Sequence, residues 1–178
     1  MVVHTVGHST LPLDQFLALL RAHDVTALAD VRQFPASRRH PHFARGALAE
    51  GLAGAGVDYA WLPALGGRRS PRPGSRHVGW RNPSFRAYAD HMESPEFAAG
   101  LDELLARAGV RPTAIMCAEA VPWRCHRQLI ADALIARGVE VRHILSTAPA
   151  GAHRLTSFAR VEGDRVMYDG GQLALPTG

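Results

Sequence analysis

MCAEAVPWRCHRQLIADALIAR, residues 116–137, is the stretch on which the reading of this chain turns. The apolar run 113–117 that leads into it has strand length and predicts a buried strand. Pro122 suits a first helical position, so a helix is predicted to start near it. Leu129, Ile130, Ala133, Leu134 and Ala136 then fall at helical spacing on one face. Gly138 stands where a helix C-terminus takes a left-handed residue. Residues 139–145 are strand-like again. The pattern is a β-α-β unit with Cys117, Glu119, Arg124, Cys125, His126 and Arg127 gathered at its strand-to-helix turn. Open α/β sheets bind ligands at such places, beside strand carboxyl ends and helix N-termini.

Outward from this unit the same alternation continues. Residues 2–6 form a short apolar strand ended by Gly7-His8-Ser9-Thr10, and Ser9 or Thr10 is expected to cap the helix that follows. Residues 25–31 give a second strand with Asp30 and Arg32 at its end, so a right-handed crossover and a parallel pair with the first strand are expected. Residues 33–45 read as a basic, proline-interrupted loop, 46–55 as a weak helix and 57–62 as a third strand. Residues 63–83 form the longest irregular stretch, with five arginines and no acid; such lengths belong to lids, binding loops or mobile segments. Residues 84–92 and 95–108 read as helices. A hairpin is expected around Glu162-Gly163-Asp164, with a frayed end at Pro176. The expected architecture is one three-layer α/β/α domain over residues 1–178. It has a mostly parallel sheet of about five strands and a C-terminal hairpin near 155–170.

Composition narrows the function classes. The chain has 178 residues, 47% hydrophobic and 20% charged, which suffices for a sizeable core. No apolar run reaches the length of a membrane span, and the N-terminus lacks a signal-peptide pattern. No membrane partner and a cytoplasmic location are expected. Two cysteines eight positions apart make no disulfide framework. Every basic residue is arginine. Between residues 31 and 89 ten arginines face two acids, a balance of +8, while the remainder carries ten against fourteen, or −4. The basic half would attract an anionic ligand such as a nucleotide, DNA or RNA. It equally fits a solvated surface with no partner.

Three chemistries suit the clustered residues. A helix starting near Pro122 would put Cys125 and His126 in its first turn. There the helix dipole, Arg124 and Arg127 would lower a thiol pKa. Cys117, at the end of an apolar strand, also suits a small core residue. Spacing and charge argue against a Cys-x5-Arg oxyanion loop, because six residues separate Cys117 from Arg124 and include Glu119 and Pro122. Cys117, Cys125, His126 and His8 match no common zinc spacing, so no metal and no cofactor are expected. General acid–base chemistry fits best. The ends of the first, second and fourth strands would group His8, Ser9, Asp30, Arg32, Glu119, His126 and Arg127. His8 or His126 could move protons. Asp30 or Glu119 could act as base or stabilise positive charge on a ribose. Arg32, Arg38, Arg68, Arg69 and Arg127 could hold phosphate, with Ser9, Ser37 and Cys125 completing the substrate site.

Four motifs together carry a resemblance. Thr5-Val-Gly-His-Ser-Thr10, Asp30-Val-Arg-Gln-Phe-Pro-Ala-Ser-Arg-Arg39, Leu62-Pro-Ala-Leu-Gly-Gly67, and Met116-Cys-Ala-Glu119 with Cys125-His-Arg127 resemble the family catalogued as domain of unknown function 488. The likeness runs from residue 3 to about 145 and leaves out the hairpin. It implies a compact α/β domain with its motif residues at one face, Ser37, Arg38 and Cys117 among them, and supplies no reaction.

The leading expectation is an enzyme that hydrolyses a phosphate-bearing nucleoside or nucleic-acid substrate, the N-glycosidic bond being one target. The alternatives are a non-catalytic nucleic-acid or nucleotide-binding module using Trp61 and Trp80 for stacking, and a thiol or metal protein built on Cys117 and Cys125.

Overall fold

All five apolar runs become strands of one sheet: β1 Val2–Gly7, β2 Ala27–Asp30, β3 Asp58–Trp61, β4 Thr113–Cys117 and β5 Glu140–Ile144. The structure is a computed structural model and describes residues 1–170. These five strands are parallel, and a two-residue strand, β6 Gly151–Ala152, joins β5 antiparallel at the edge. The order is β3-β2-β4-β1-β5-β6. β2 is buried throughout and β4 nearly so, as parallel strands covered on both faces must be. The sheet thus has one strand more than expected, taken from residues read as loop.

Helices α1 Leu13–Ala22 and α2 Arg45–Gly54 cover one face, where Phe16, Leu20, Leu48 and Leu52 pack on Val6, Leu28 and Met116. Helices α3 Pro83–His91, α4 Pro95–Ala108 and α5 Arg127–Ala136 cover the other, where Tyr88, Leu101, Leu104 and Leu134 pack on Val3, Ala29 and Ile115. This is the three-layer arrangement the sequence predicts.

The pairing differs in one respect. β1 and β2 are parallel but not neighbours, because β4 lies between them, and β1 lies between β4 and β5. The connection leaving β1 runs to α1 on one face. The one leaving β4 runs to α5 on the other. Adjacent strands whose exits diverge leave a crevice between them.

Two helix starts also differ. Pro12, not Ser9 or Thr10, precedes α1, and no side chain caps it. Ser9 is otherwise engaged: its backbone N–H donates to Ala118 O at 2.9 Å, after His8 N–H to Cys117 O at 3.0 Å, with Ser9 at φ 47°. The β1–β4 ladder therefore runs past the strand ends. α5 starts at Arg127 rather than near Pro122. Residues Pro122–Arg124 make a separate 3-10 turn, Cys125 is extended, and His126 is the N-cap. Gly138, at φ 74°, ends α5 as expected.

The long basic loop is ordered by its surroundings. Ser75 donates to Asp90 at 2.7 Å, Arg76 and His77 reach Glu93, and Gly79 N–H donates to Tyr168 O at 2.7 Å. The hairpin forms from β7 Arg160–Glu162 and β8 Arg165–Met167, turning at Gly163 (φ 63°) and Asp164. It is part of the core rather than an appendage. Tyr168 is fully buried and donates to Asp132 Oδ2 at 2.7 Å, and His153 and Thr156 fill the other bonds of that buried carboxylate. The end expected to fray at Pro176 lies outside the described residues. Among the described residues, no helix is long and apolar enough to cross a membrane.

Gly7 closes the β1–β4 junction. A methyl group added there would collide with the Glu119 carbonyl oxygen, which is backbone and cannot swing aside. Gly7→Ala should cost about 3 kcal/mol or more, by the penalty for overpacking. Gly54→Ala, at the open end of α2 with nothing within 4 Å, should stay within about 0.5 kcal/mol. Denaturant midpoints of the two variants check the contrast.

Candidate functional site

The crevice is a cleft of about 620 Å³ at the carboxyl ends of β1, β2 and β4. His8 enters from β1, Arg32 from β2, Cys117 and Glu119 from β4, and Cys125 and His126 from the segment before α5. Arg68 and Phe34 come from the two basic loops. The strand ends therefore converge as their common direction requires.

Asp30 and Arg32 form a closed unit beneath this cleft. Arg32 Nε donates to Asp30 Oδ1 at 2.9 Å and Nη2 to Oδ2 at 2.6 Å. Arg32 N–H and Tyr59 O–H take the remaining positions on the carboxylate, at 3.1 and 2.6 Å. Asp30 has no exposed surface. Both its oxygens are thus committed to holding Arg32. Burial works against the Arg32 charge, and the Asp30 hydrogen bonds outweigh it and raise its pKa. Burial, then the bond to Asp30, raises that of Tyr59. Arg32 spends a third donor on Phe43 O at 2.8 Å, which leaves two of a guanidinium's five N–H groups for the cleft.

His8 is stacked on Phe43, ring centroids 4.1 Å apart, and its Nδ1 bonds Ser9 O at 2.9 Å. Burial lowers its pKa to about 4. At neutral pH it is therefore an uncharged imidazole whose Nδ1–H faces a carbonyl and whose Nε2 is an acceptor. Glu119 is exposed at the cleft wall. His126 is held differently: Nε2 donates to Val31 O at 2.9 Å, and Nδ1 lies 3.5 Å from Cys125 Sγ, where a protonated ring donates to the sulfur and a neutral ring accepts from it. Gly67 lies on this ring so closely that an added methyl would strike it.

The two sulfurs and a ring nitrogen of His126 lie within 4.8 Å of one another. A hydrogen bond from Cys117 lowers the Cys125 pKa well below a normal thiol, helped by His126 and Arg127 against burial. The same bond, with burial, raises Cys117. These three residues could hold a soft metal ion, although the Arg127 guanidinium beside Cys125 opposes added positive charge. His77, Asp90 and Glu93 also cluster. There His77 Nδ1 accepts from Tyr168 N–H and Nε2 donates to Glu93, so the ring has no lone pair to offer.

The other expected site residues are placed as follows. Ser37 and Arg68 line the cleft, with Ser37 Oγ accepting from His40 N–H at 3.0 Å and Arg68 lying 5.9 Å over the Phe34 ring. Arg38 is exposed on the loop outside the lining, and Ser9 sits behind it on the β1–β4 ladder. Arg69 binds the carbonyls of Pro63, Ala64 and Gly66 and pairs with Glu96, which ties the loop to α4. Arg127 is fully buried. Neither tryptophan proposed for stacking is free: Trp61 donates to Arg32 O and lies under Arg45, and Trp80 packs among Phe85, Phe158 and Tyr168. The exposed aromatic rings here are Phe34, 66% exposed, and Trp123, 58%. Gln33, whose buried amide oxygen has no partner, also lines the cleft. Phe34 and Gln33 lie inside the quoted Asp30–Arg39 motif, but no charge or spacing distinguishes them there.

The family model described as Domain of unknown function DUF488 matches residues 12–134. No curated protein and no solved structure gives a significant match to the chain.

His8 and His143 both have folded-state values of about 4 against an ordinary 6.5, with burial the first cause in each. The unfolded chain therefore binds more protons between those values. Stability rises with pH across that window and gains nothing further from them above it. Urea midpoints measured from about pH 4 to 7 should rise, and His8→Gln should flatten the slope. An unchanged slope would mean that His8 titrates alike in both states.

Proposed function

We propose that this chain, which belongs to the DUF488 family, is an enzyme that hydrolyses a phosphate-bearing nucleoside or nucleic-acid substrate, with the N-glycosidic bond as the first bond to test. The observation that carries the reading is the meeting of Glu119 and an uncharged His8 with Arg32, Arg68 and Arg124 in one cleft.

Each part has a chemical role. Arg32 is rigid, because Asp30 and Phe43 O fix its plane, so its two remaining N–H groups present a preset donor pair to a phosphate. Arg68 and Arg124 are exposed and add charge that is sensitive to salt. Phe34 offers a face to a base. With the oxygens of Asp30 occupied, Glu119 is the carboxylate left for chemistry. It activates water or stabilises positive charge developing on the sugar. His8, through Nε2, orients that water.

A thermal-shift screen at low salt with nucleotides, single- and double-stranded DNA, RNA and inorganic phosphate should raise the midpoint for at least one anion. Arg68→Ala and Arg124→Ala should weaken the shift. On the substrate so found, Glu119→Gln should bind normally and lose about 10²-fold or more in turnover. Asp30→Asn should instead lose about 3–5 kcal/mol of stability by stranding Arg32. No shift with any anion, or full turnover by Glu119→Gln, would overturn the reading.

A further inference from the structure

Arg127 is a buried cation in need of an anion. Its side chain has no accessible surface, its Nη2 donates to the Glu119 carbonyl oxygen, and its Nη1 has no partner. No carboxylate among the described residues pairs with it. Its one side-chain acceptor is Cys125 Sγ, 3.4 Å from Nε. An unpaired buried charge is strongly destabilising, so the charge balance calls for a thiolate at Cys125. Around that sulfur stand Arg127 Nε, His126 Nδ1 and the Cys117 thiol. Both cysteines line the cleft and neither is in a disulfide. A sulfur held 3.4 Å from a buried guanidinium, with a second sulfur within 4.8 Å of it and both on a cleft wall, is the arrangement in which oxidation is taken up and resolved.

We propose that Cys125 is a peroxide-reactive thiolate and Cys117 its resolving thiol, so that the pair closes reversibly to a disulfide inside the cleft. In the first step the Cys125 sulfur attacks the terminal oxygen of a hydroperoxide. The S–O bond forms, the O–O bond breaks, and the departing alkoxide takes a proton from solvent. The sulfur is oxidised to the sulfenic acid and the peroxide reduced to the alcohol, or to water from hydrogen peroxide. In the second step Cys117 attacks the sulfenic sulfur. The S–S bond forms, the S–O bond breaks, and hydroxide leaves with the Cys117 proton as water. A dithiol reductant then attacks the S–S bond, passes through a mixed disulfide and leaves as its own cyclic disulfide, returning Cys117 and Cys125 to two thiols. Arg32 and Arg124 on the same wall offer donors to the departing oxyanion. Closing the disulfide removes the thiolate and leaves Arg127 without its counter-charge, so the oxidised chain should be the less stable form. A divalent metal on the same sulfurs would add positive charge beside Arg127 and is the competing outcome. The proposal does not rest on the hydrolysis reading and is tested without a substrate.

The experiment uses tag-free, reduced protein whose metal content has been measured. Hydrogen peroxide near stoichiometric dose should lower the intact mass by two hydrogens and abolish both titratable thiols, and dithiothreitol should restore them. Cys117→Ser should stop at a sulfenic acid on Cys125 that dimedone traps. Cys125→Ser should leave Cys117 unoxidised at that dose. In the wild type, iodoacetamide at about pH 6 should label Cys125 at least about tenfold faster than Cys117, a measurement that needs no variant. The proposal is overturned by Cys117 reacting first, by Cys125 passing to the sulfinic acid without a disulfide, or by a stoichiometric metal that masks both thiols until a chelator removes it.

Discussion

A guanidinium sealed away from water fixes the geometry of the whole motif region. Arg127 begins α5, where the helix already concentrates partial positive charge. Nothing at that point tolerates a second cation unless an anion and fixed dipoles surround it. The backbone supplies one dipole at Glu119, the Cys125 sulfur accepts from Nε, and the proposed thiolate there would supply the negative charge. To do so, Cys125 must leave the helix and lie extended just before it, which is why a separate turn at Pro122–Arg124 precedes α5. The Glu119 carbonyl must in turn lie against Gly7. One buried charge thereby links the start of α5, the loop after β4 and the end of β1.

A second buried charge does the same work across the sheet. Asp30 and Arg32 neutralise one another below the cleft, and the pair is completed by Tyr59 from β3 and Phe43 from the loop before α2. The His126 ring then spans from the carbonyl after β2 to the Cys125 sulfur. Polar chemistry at the cleft floor is therefore load shared among strands rather than a set of free side chains. What remains open to a ligand is the wall: Glu119, the Nε2 edge of His8, the spare donors of Arg32 and the exposed arginines.

Much of the secondary structure was legible because parallel strands buried on both faces are plain apolar runs, and Gly138 and the Glu-Gly-Asp turn are local signals. The strand order was not. It depends on which helix covers which face, and Leu20 and Leu134 look alike in a sequence although they lie on opposite sides of the sheet. Ser9 carries a normal capping signal that lost to a longer-range ladder with Ala118. Asp132 falls on what a helical projection would make the polar face of α5. It is the buried anchor of the C-terminal segment, since His153, Thr156 and Tyr168 come from beyond the periodic part of the chain. The candidate site was legible as a neighbourhood, because strand ends in a parallel sheet share a direction. The division of labour within it was not, since only the pairing of Asp30 with Arg32 and Tyr59 separates an anchoring carboxylate from an available one.

The insertion of β4 between β1 and β2 bears on how the chain reaches this state. Val3 pairs with Thr113 on one side and Val141 on the other, so β1 has no partner in the hundred residues that follow it. A ribosome-bound chain that ends before β4 can pair β2 with β3 but must leave β1 with both edges bare. Contacts of such sequence separation slow folding, and unpaired edges invite association between chains. The sheet therefore can close at its centre only when β4 and β5 are present, and until then both edges of β1 are the ones most open to pairing with another chain.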